Sequence, residues 1–428
     1  MGLNNGRLAI KKSVLWNYVL VFGLFYCTIL SSLAQFVVPR AKLQLAINVT
    51  VVLLFLMRII KRKTLTKPLF FDVLLILILA EIAYGYLVVR DYEYWAQYRY
   101  MLFMVFFLFA MRQKGWHDLL LRVILTAGII YAILTIWLAF DGGTYRNVVV
   151  NMYPNTKNVL LRLYAEHKYA GITDHYSTNG MVLANAIIAA WAYLAVSKRN
   201  KMPNIRKDIL AFLCILIGLV LTAKRAHLLF TAVACFSAYY IATKKERHHG
   251  SKTFIMLLSA CAVIVAAYLF IPQVRQVISR FFEMSEDTNI ESRYIFWGLA
   301  WDAFRKNWLF GIGWFGYRNQ IAPLANYTGH CHNVYIQLLC ETGVVGFSIF
   351  LMWFIGSIVI AGLMAYRYFL KAMSPALKVS LLFCFSYQIY FLLYCYSGNP
   401  LFDVYQYPLY FVSCIVPMYY YKNQNEIE

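Results

Sequence analysis

The chain has 428 residues, of which 61% are hydrophobic and only 14% are charged, and this composition excludes an ordinary soluble globular protein. Soluble domains are about 45–50% apolar and about 25% charged. The formal net charge of +21 would suit a nucleic-acid-binding protein, but the lysines and arginines cluster in short segments between apolar runs. Basic loops of this kind orient membrane proteins. The sequence therefore predicts a polytopic protein of the lipid bilayer, with no nucleic-acid partner.

Twelve apolar runs predict an all-α fold with about twelve transmembrane helices, because a helix needs about 20 apolar residues to span the hydrocarbon core. No linker or separate soluble domain is evident, so residues 1–428 are predicted to form a single integral membrane domain. The runs are 14–33, 41–60, 68–89, 99–112, 118–140, 178–197, 208–222, 228–243, 253–271, 334–362, 379–396 and 407–421.

Basic clusters precede the first run and follow every even-numbered run up to the tenth, so all of them fall on one side. By the positive-inside rule that side is cytoplasmic, and both termini are predicted to be cytoplasmic. Two long loops, 141–177 and 272–333, are then predicted to lie outside. No internal repeat is evident, which argues against transporters built from duplicated halves.

The loop 272–333 contains a predicted amphipathic helix. Its apolar residues fall on one helical face, which indicates a helix lying flat on the membrane. Gly311–Gly316 has the glycine spacing of a dinucleotide-binding loop, but no strand precedes it, and we interpret these glycines as a turn packed close to the bilayer. The residues of the stripe are Ile290, Tyr294, Trp297, Trp301, Phe304 and Trp308.

Lys224 and Arg225 occupy the short outer junction between the seventh and eighth runs. Such cations can extend to lipid phosphates, but charges at membrane depth are usually functional. The guanidinium of Arg225 fits phosphate oxygens in bidentate fashion. Arg293, at the edge of the aromatic stripe, has the same two interpretations. The two arginines together predict a clamp for an anion, with Lys224 beside it.

A polar segment from Tyr327 to Tyr335 leads into the tenth run and contains His330, His332 and Asn333. A purely structural role is one interpretation, because asparagine is a good N-cap. In the other, the helix dipole keeps His332 neutral, so that it can accept a proton or hydrogen-bond a sugar hydroxyl. Asn333 would orient the ring, and His330 is a lesser candidate. Two histidines without a third clear ligand make a zinc site a weak alternative.

The end of the first outer loop, Gly171–Gly180, is a second polar segment that leads into a membrane run. It contains Asp174 and His175, which are candidates to line the same substrate cavity. An ordinary helix cap is the alternative interpretation for each residue.

The order of these features resembles the O-antigen ligase and O-antigen polymerase superfamily of bacterial membrane glycosyltransferases. The resemblance rests on the span count, on Arg225 at its short outer junction, and on motifs in and after the long outer loop. It covers mainly residues 220–350 and departs at Lys224, where the family often has serine, which indicates a somewhat different anion pocket. The motifs are Glu291-Ser292-Arg293, Trp308–Gly313, His330–Asn333 and Glu341–Gly346.

The resemblance implies an enzyme of the bacterial inner membrane that uses an undecaprenyl-diphosphate-linked glycan as donor, without a metal or other cofactor. Arg225 and Arg293 would hold the diphosphate, and His332 would activate the acceptor hydroxyl in an inverting transfer. The site would lie in the extracytoplasmic loop 272–333. The leading hypothesis is a polymerase that joins lipid-linked repeat units, for which a chain-length regulator fits as a partner.

Two alternatives stay open at this point. A ligase of the same superfamily would transfer the glycan to lipid A core or another surface acceptor, and the sequence does not separate it from a polymerase. A non-catalytic flippase or transporter of lipid-linked oligosaccharide predicts charges spread through the middle of the spans. The candidate charges cluster instead at one face, which favours an enzyme.

Overall fold

The computed structural model describes residues 12–30, 70–89, 115–246, 288–327 and 329–423, together with a few isolated positions. In these residues all regular secondary structure is helical, as predicted. Five of the helices are long and apolar enough to cross a membrane. The predicted spans 41–60, 99–112 and 253–271 fall almost entirely outside the described residues, and the total of about twelve remains a prediction.

Within the described segments we number the helices of eight or more residues from α1 to α11. Nine of them coincide with predicted apolar runs, whereas α4 and α8 lie in the two long loops that are predicted to be outside. The bounds are α1 Lys12–Cys27, α2 Phe70–Val89, α3 Trp116–Phe140, α4 Lys157–Ala165, α5 Tyr176–Arg199, α6 Ile205–Leu221, α7 Arg225–Ala242, α8 Thr288–Lys306, α9 Val334–Tyr368, α10 Pro375–Ser397 and α11 Tyr407–Lys422. The candidate membrane spans are α3, α5, α7, α9 and α10.

Helices α5 and α10 form the centre of the described bundle. Helix α5 packs against α3, α6, α7 and α10, and α10 also packs against α7, α9 and α11. The buried face of α5 is rich in alanine, and small side chains let membrane helices approach closely. The contact between α10 and α11 is aromatic instead, with the rings of Phe391 and Tyr410 stacked at 3.9 Å.

Helix α9 corrects the prediction of one continuous span, because its backbone is not helical at Gly343, where φ is 61° and ψ is −167°. The segment 308–313 of the outer loop crosses this break and satisfies the backbone groups that it leaves without helical partners. Such groups must be paired at membrane depth, where no water is present. The four backbone hydrogen bonds are Ile312 N–H to Cys340 O, Gly313 N–H to Glu341 O, Val344 N–H to Trp308 O and Val345 N–H to Leu309 O.

Glycine is required on both sides of this crossing. A Cβ atom on Gly311 would lie 2.4 Å from the carbonyl of Glu341, and one on Gly343 would lie 2.4 Å from the carbonyl of Leu309. Both glycines also have positive φ, which other residues rarely adopt. Gly311 therefore packs against the break in α9 directly after a turn at 307–310, and the predicted approach of these glycines to the bilayer stays a prediction. The crossing attaches the segment 308–313 to α9.

Candidate active site

Helix α8 supports the polar segment that precedes α9. The indole Nε1–H of Trp297 donates to the carbonyl of Cys331 at 2.9 Å. The rings of Phe296 and Tyr327 stack with their centroids 4.3 Å apart, and the hydroxyl of Tyr317 donates to the carbonyl of Phe296. The helix predicted from the aromatic stripe thus serves to position Tyr327 and the residues that follow it.

The stripe itself is divided between two roles. Tyr294, Trp301 and Trp308 of the stripe are exposed, to 65%, 41% and 57% respectively. Trp297 is half-buried and bonded to the polar segment. The exposed part fits the predicted face for a membrane surface, and the flat placement on that surface remains a prediction.

Asn333 caps α9, as the structural interpretation predicts. Its side-chain oxygen accepts hydrogen bonds from the backbone N–H groups of Tyr335 at 3.0 Å and Ile336 at 3.2 Å, and its side chain is buried. His332 lies one residue before this cap and has a φ of 60°, in the left-handed region. Because Asn333 is occupied as a cap, the predicted orientation of the His332 ring is supplied by other side chains.

The ring of His332 is held at both nitrogens. Asn399, in the turn between α10 and α11, accepts the backbone N–H of His332 through Oδ1 at 2.9 Å. Its Nδ2 lies 3.1 Å from Nδ1 of the same ring. On the other side, Nε2 lies 3.1 Å from the hydroxyl of Tyr327.

His332 is neutral near pH 7. Burial, together with the positive charges of Arg293 and Lys224, lowers the pKa of His332 to about 4. The ring is nevertheless only half-buried, so that a substrate can reach it. A neutral, accessible imidazole beside two cations is suited to hydrogen bonding or proton transfer at an anionic substrate.

The predicted cations gather in one place. Lys224 immediately precedes α7, and Arg225 is the first residue of that helix. Burial, together with the charges of Arg293, Arg225 and Lys168, lowers the pKa of Lys224 to about 8. Within the described part of the chain, neither Lys224 nor Arg293 forms an ion pair. Cations brought together in this way form a site for an anion.

The first outer loop extends this positive region. The ammonium groups of Lys224 and Lys168 lie 5.1 Å and 5.9 Å from the centre of the Tyr176 ring. Burial lowers the pKa of His175 to about 4, and Lys224, Arg162 and Lys168 contribute in that order. Lys224 thus acts electrostatically on His175 as well as on His332.

Within the first loop the two candidates differ. His175 is the N-cap of α5, and its Nδ1 accepts the backbone N–H of Ser177 at 3.2 Å. Asp174 has a buried oxygen, Oδ1, without a hydrogen-bond partner in the described residues. The structure gives Asp174 no ion pair with the cations in these residues.

His330 is part of the packing beneath the site. Its Nδ1 accepts a hydrogen bond from the side-chain amide of Gln337 at 2.9 Å, and that amide also donates to Glu341 at 2.8 Å. The ring stacks on Phe402 with centroids 4.7 Å apart. Burial lowers the pKa of His330 to about 3. The lesser role of His330 in the chemistry remains a prediction.

Sequence reasoning did not single out Asn399, Tyr327, Tyr176 or Lys168 as site residues. Lys168 had a usable signal, because basic residues in an outer loop run against the positive-inside rule. Asn399 had none, since an asparagine before a proline is an ordinary turn residue.

No group of three or more His, Cys, Asp or Glu side chains in the described residues could hold a metal ion. The independence from metal that the resemblance implies remains a prediction. The positive charge needed to neutralise a phosphate is present in the arginines and lysines already described.

Residues 210–351 match the family model described as O-antigen ligase. This match supports the O-antigen ligase and polymerase superfamily, which the sequence motifs resemble. The O-antigen ligase segment contains Lys224, Arg225, Arg293 and His332, whereas Asn399 lies outside it. The comparison with curated proteins gives no match. The superfamily and the apolar helices together indicate a bacterial inner-membrane protein with a glycosyltransferase-like function in surface polysaccharide assembly.

Proposed function

We propose that the protein polymerises undecaprenyl-diphosphate-linked repeat units at the extracytoplasmic face of the membrane. The observation that carries this proposal is the group formed by Lys224, Arg225 and Arg293 beside the neutral ring of His332. Such a group suits a substrate with a diphosphate next to its reacting carbon. The lipid-linked glycan donors of the superfamily have this chemistry.

In the proposed step, the acceptor hydroxyl attacks the anomeric carbon, and the bond from that carbon to the diphosphate oxygen breaks with inversion. The proton of the hydroxyl ends on the departing diphosphate. The electron pair goes to the departing diphosphate. Arg225 and Arg293 bind this anion in the transition state, where fixed positive charge is most effective. His332 contacts the reacting oxygens. No metal ion is needed for charge neutralisation in this scheme.

The extent of the positive region favours a polymerase over a ligase. In a polymerase both substrates carry a lipid diphosphate, so two anions approach the same site. The cations continue from Arg293 through Lys224 to Lys168, although Lys168 is paired with Glu166. A ligase of the same superfamily, acting on lipid A core or another acceptor, needs only one such diphosphate and remains the second candidate.

The test is a transfer assay with purified protein, a lipid-diphosphate oligosaccharide repeat unit and excess chelator. A ladder of products supports the polymerase. A single transfer that occurs only when a different acceptor lipid is supplied identifies the ligase. The absence of any transfer, together with movement of the intact donor across vesicles, would support the flippase or transporter and overturn the proposal.

A pair of variants on α8 connects the assay to the site. Arg293→Ala removes the proposed clamp, whereas Arg305→Ala removes an exposed arginine near the other end of the same helix. We expect loss of transfer only in Arg293→Ala. Equal activity of the two variants at limiting donor would leave Arg293 as a lipid headgroup anchor.

A further inference from the structure

Asn399 and His332 form a two-point contact that fixes which atom of each group donates. The backbone N–H of His332 can only donate, so the atom of Asn399 that faces it at 2.9 Å must be the carbonyl oxygen Oδ1. The orientation of the side-chain amide is thereby settled. Its Nδ2, which can only donate, then faces Nδ1 of the imidazole at 3.1 Å.

The ring must therefore accept at Nδ1. A neutral imidazole carries one proton, so the proton lies on Nε2, and Nε2–H donates to the hydroxyl oxygen of Tyr327 at 3.1 Å. If the proton were on Nδ1, the Nδ2 amide group of Asn399 and Nδ1–H of His332 would be two hydrogen-bond donors facing each other. Rotating the Asn399 amide by about 180° would instead place its Nδ2 donor opposite the backbone N–H of His332, which is also a donor. Nε2–H is the one tautomer that satisfies both contacts.

We propose that Asn399 is a positioning residue that keeps the proton of His332 on Nε2, so that His332 offers a hydrogen-bond donor to the substrate. The identity of the substrate as a lipid diphosphate rests on the proposed function, whereas the assignment of the tautomer rests on the contacts alone. The neutral state of the ring near pH 7 agrees with this assignment, because a doubly protonated ring would face the Asn399 amide with a proton at Nδ1.

With a hydrogen-bond donor at Nε2 of His332, the protons take a different route during the transfer. The acceptor oxygen bonds to the anomeric carbon, and the carbon–oxygen bond to the diphosphate breaks. His332 keeps its proton, and the departing oxygen takes the place of the Tyr327 hydroxyl as the acceptor of Nε2–H while that oxygen gains charge. The proton of the acceptor hydroxyl passes to another oxygen of the same diphosphate. This differs from the prediction that His332 itself accepts the proton.

Position 399 would thus decide between two kinds of histidine chemistry. An aspartate there would accept hydrogen bonds from both the backbone N–H and Nδ1–H of His332. The single proton of the neutral ring would then move to Nδ1, and Nε2 would become a lone pair able to accept a proton. The change from Asn399 to Asp preserves shape and reverses the tautomer, which makes it the sharpest variant for a test.

The first measurement uses wild-type protein without substrate. Nitrogen NMR of protein labelled with ¹⁵N only in histidine distinguishes protonated from unprotonated ring nitrogens, and the signals of His332 are those missing from His332→Gln. We expect a protonated Nε2 and an unprotonated Nδ1. A protonated Nδ1 in the wild type would falsify the proposal, whatever the enzyme transfers.

The second measurement compares Asn399→Asp with Asn326→Asp. Asn326 is exposed and lies one residue from Tyr327, so this control adds the same charge near the site without touching His332. We expect the proton to move to Nδ1 in Asn399→Asp and to stay on Nε2 in Asn326→Asp. An unchanged tautomer in Asn399→Asp would show that Asn399 does not set it.

The third measurement tests whether the transfer uses the Nε2–H group of His332 as a hydrogen-bond donor. The amide nitrogen of glutamine can take the place of Nε2 and donate, but it cannot accept a proton at neutral pH. We expect His332→Gln to keep transfer within about tenfold of wild type and His332→Ala to lose about 10²-fold. Equal losses, with expression and Tm matched, would overturn the donor role. A wild type that shows no transfer would remove the proposed function, while the NMR measurement would still decide the tautomer.

Discussion

The two polar segments that lead into membrane helices look alike in sequence, but they use their histidines differently. At the start of α5, His175 is itself the N-cap, and its ring accepts the backbone N–H of Ser177. At the start of α9, Asn333 is the N-cap, and His332 lies one residue earlier with its ring bonded to Asn399 and Tyr327. His175 is the cap itself, and its ring is occupied in that role. His332 lies one residue before the cap, so its ring is available for chemistry.

Lys224 links the two regions, because its charge lowers the pKa of both histidines. Each of the other cations lowers the pKa of one histidine: Arg293 lowers that of His332, whereas Arg162 and Lys168 lower that of His175. We therefore expect the α9 region to carry the reaction and the α5 region to support it. The following experiments test that division, beginning with the largest expected effect.

Removing an arginine from each region should produce very different losses. Arg293→Ala is expected to lower kcat/KM for transfer by about 10²–10³-fold, because it removes charge at the departing diphosphate. Arg293→Lys should also be impaired, since lysine lacks the planar fork. Arg162→Ala, whose side chain is 70% exposed, should stay within about threefold, in line with surface charges. Similar losses in the two alanine variants would show that the regions share one clamp.

Replacing the histidines sharpens the comparison. His332→Ala is expected to lose about 10²-fold in turnover with donor binding largely kept. His175→Ser should keep turnover within about threefold, because serine also caps a helix well. The measurement is single-turnover transfer at saturating donor, with thermal stability matched. A loss of about 10²-fold in His175→Ser would move His175 into the mechanism.

The pH dependence of donor binding tests the shared cation. Lys224 is charged below its pKa of about 8 and loses that charge as the pH rises through this value. The KM for the donor should therefore increase several-fold between about pH 7 and about pH 9, because an anion binds the charged form. Lys224→Arg keeps its charge throughout this range and should abolish the increase. A flat wild-type KM would indicate that Lys224 does not contact the donor.

The smallest effects concern stability. Asn333→Ala removes two cap hydrogen bonds from α9 and should cost about 1 kcal/mol, whereas His175→Ala removes one from α5 and should cost about half as much. Asn204 is the N-cap of α6 and makes no side-chain cap bond, so Asn204→Ala is the control. The readout is Tm in detergent. A control that loses as much as Asn333→Ala would remove the capping explanation.

Much of the fold could be predicted from local signals. The run 118–140 corresponds to α3 at Trp116–Phe140, and the run 178–197 corresponds to α5 at Tyr176–Arg199, because apolar length and polar flanks are properties of contiguous residues. The aromatic period from Ile290 to Trp308 predicted α8 for the same reason. The break in α9 could not be predicted in this way, because Gly343 alone does not reveal that another segment crosses there.

The site was only partly predictable. The residue types pointed to an anion clamp at Arg225 and Arg293, and both contribute to the lowered pKa of Lys224. Capping α9 and orienting His332 were the two alternative interpretations of Asn333, and the structure shows it as the cap. The residue that holds the ring, Asn399, lies 67 positions along the chain from His332. No periodicity or motif connects two positions that far apart.

The sequence by itself determined that this is an apolar, all-helical protein with its candidate chemistry in polar segments at helix starts. Composition, helical period and capping act over a few residues, so they can be read from neighbouring letters. Only the tertiary structure decided that segment 308–313 completes the broken helix α9, that Lys224 serves two regions, and that Asn399 orients His332. These depend on hydrogen bonds and charges between distant segments, whose strength is set by packing and burial rather than by local sequence.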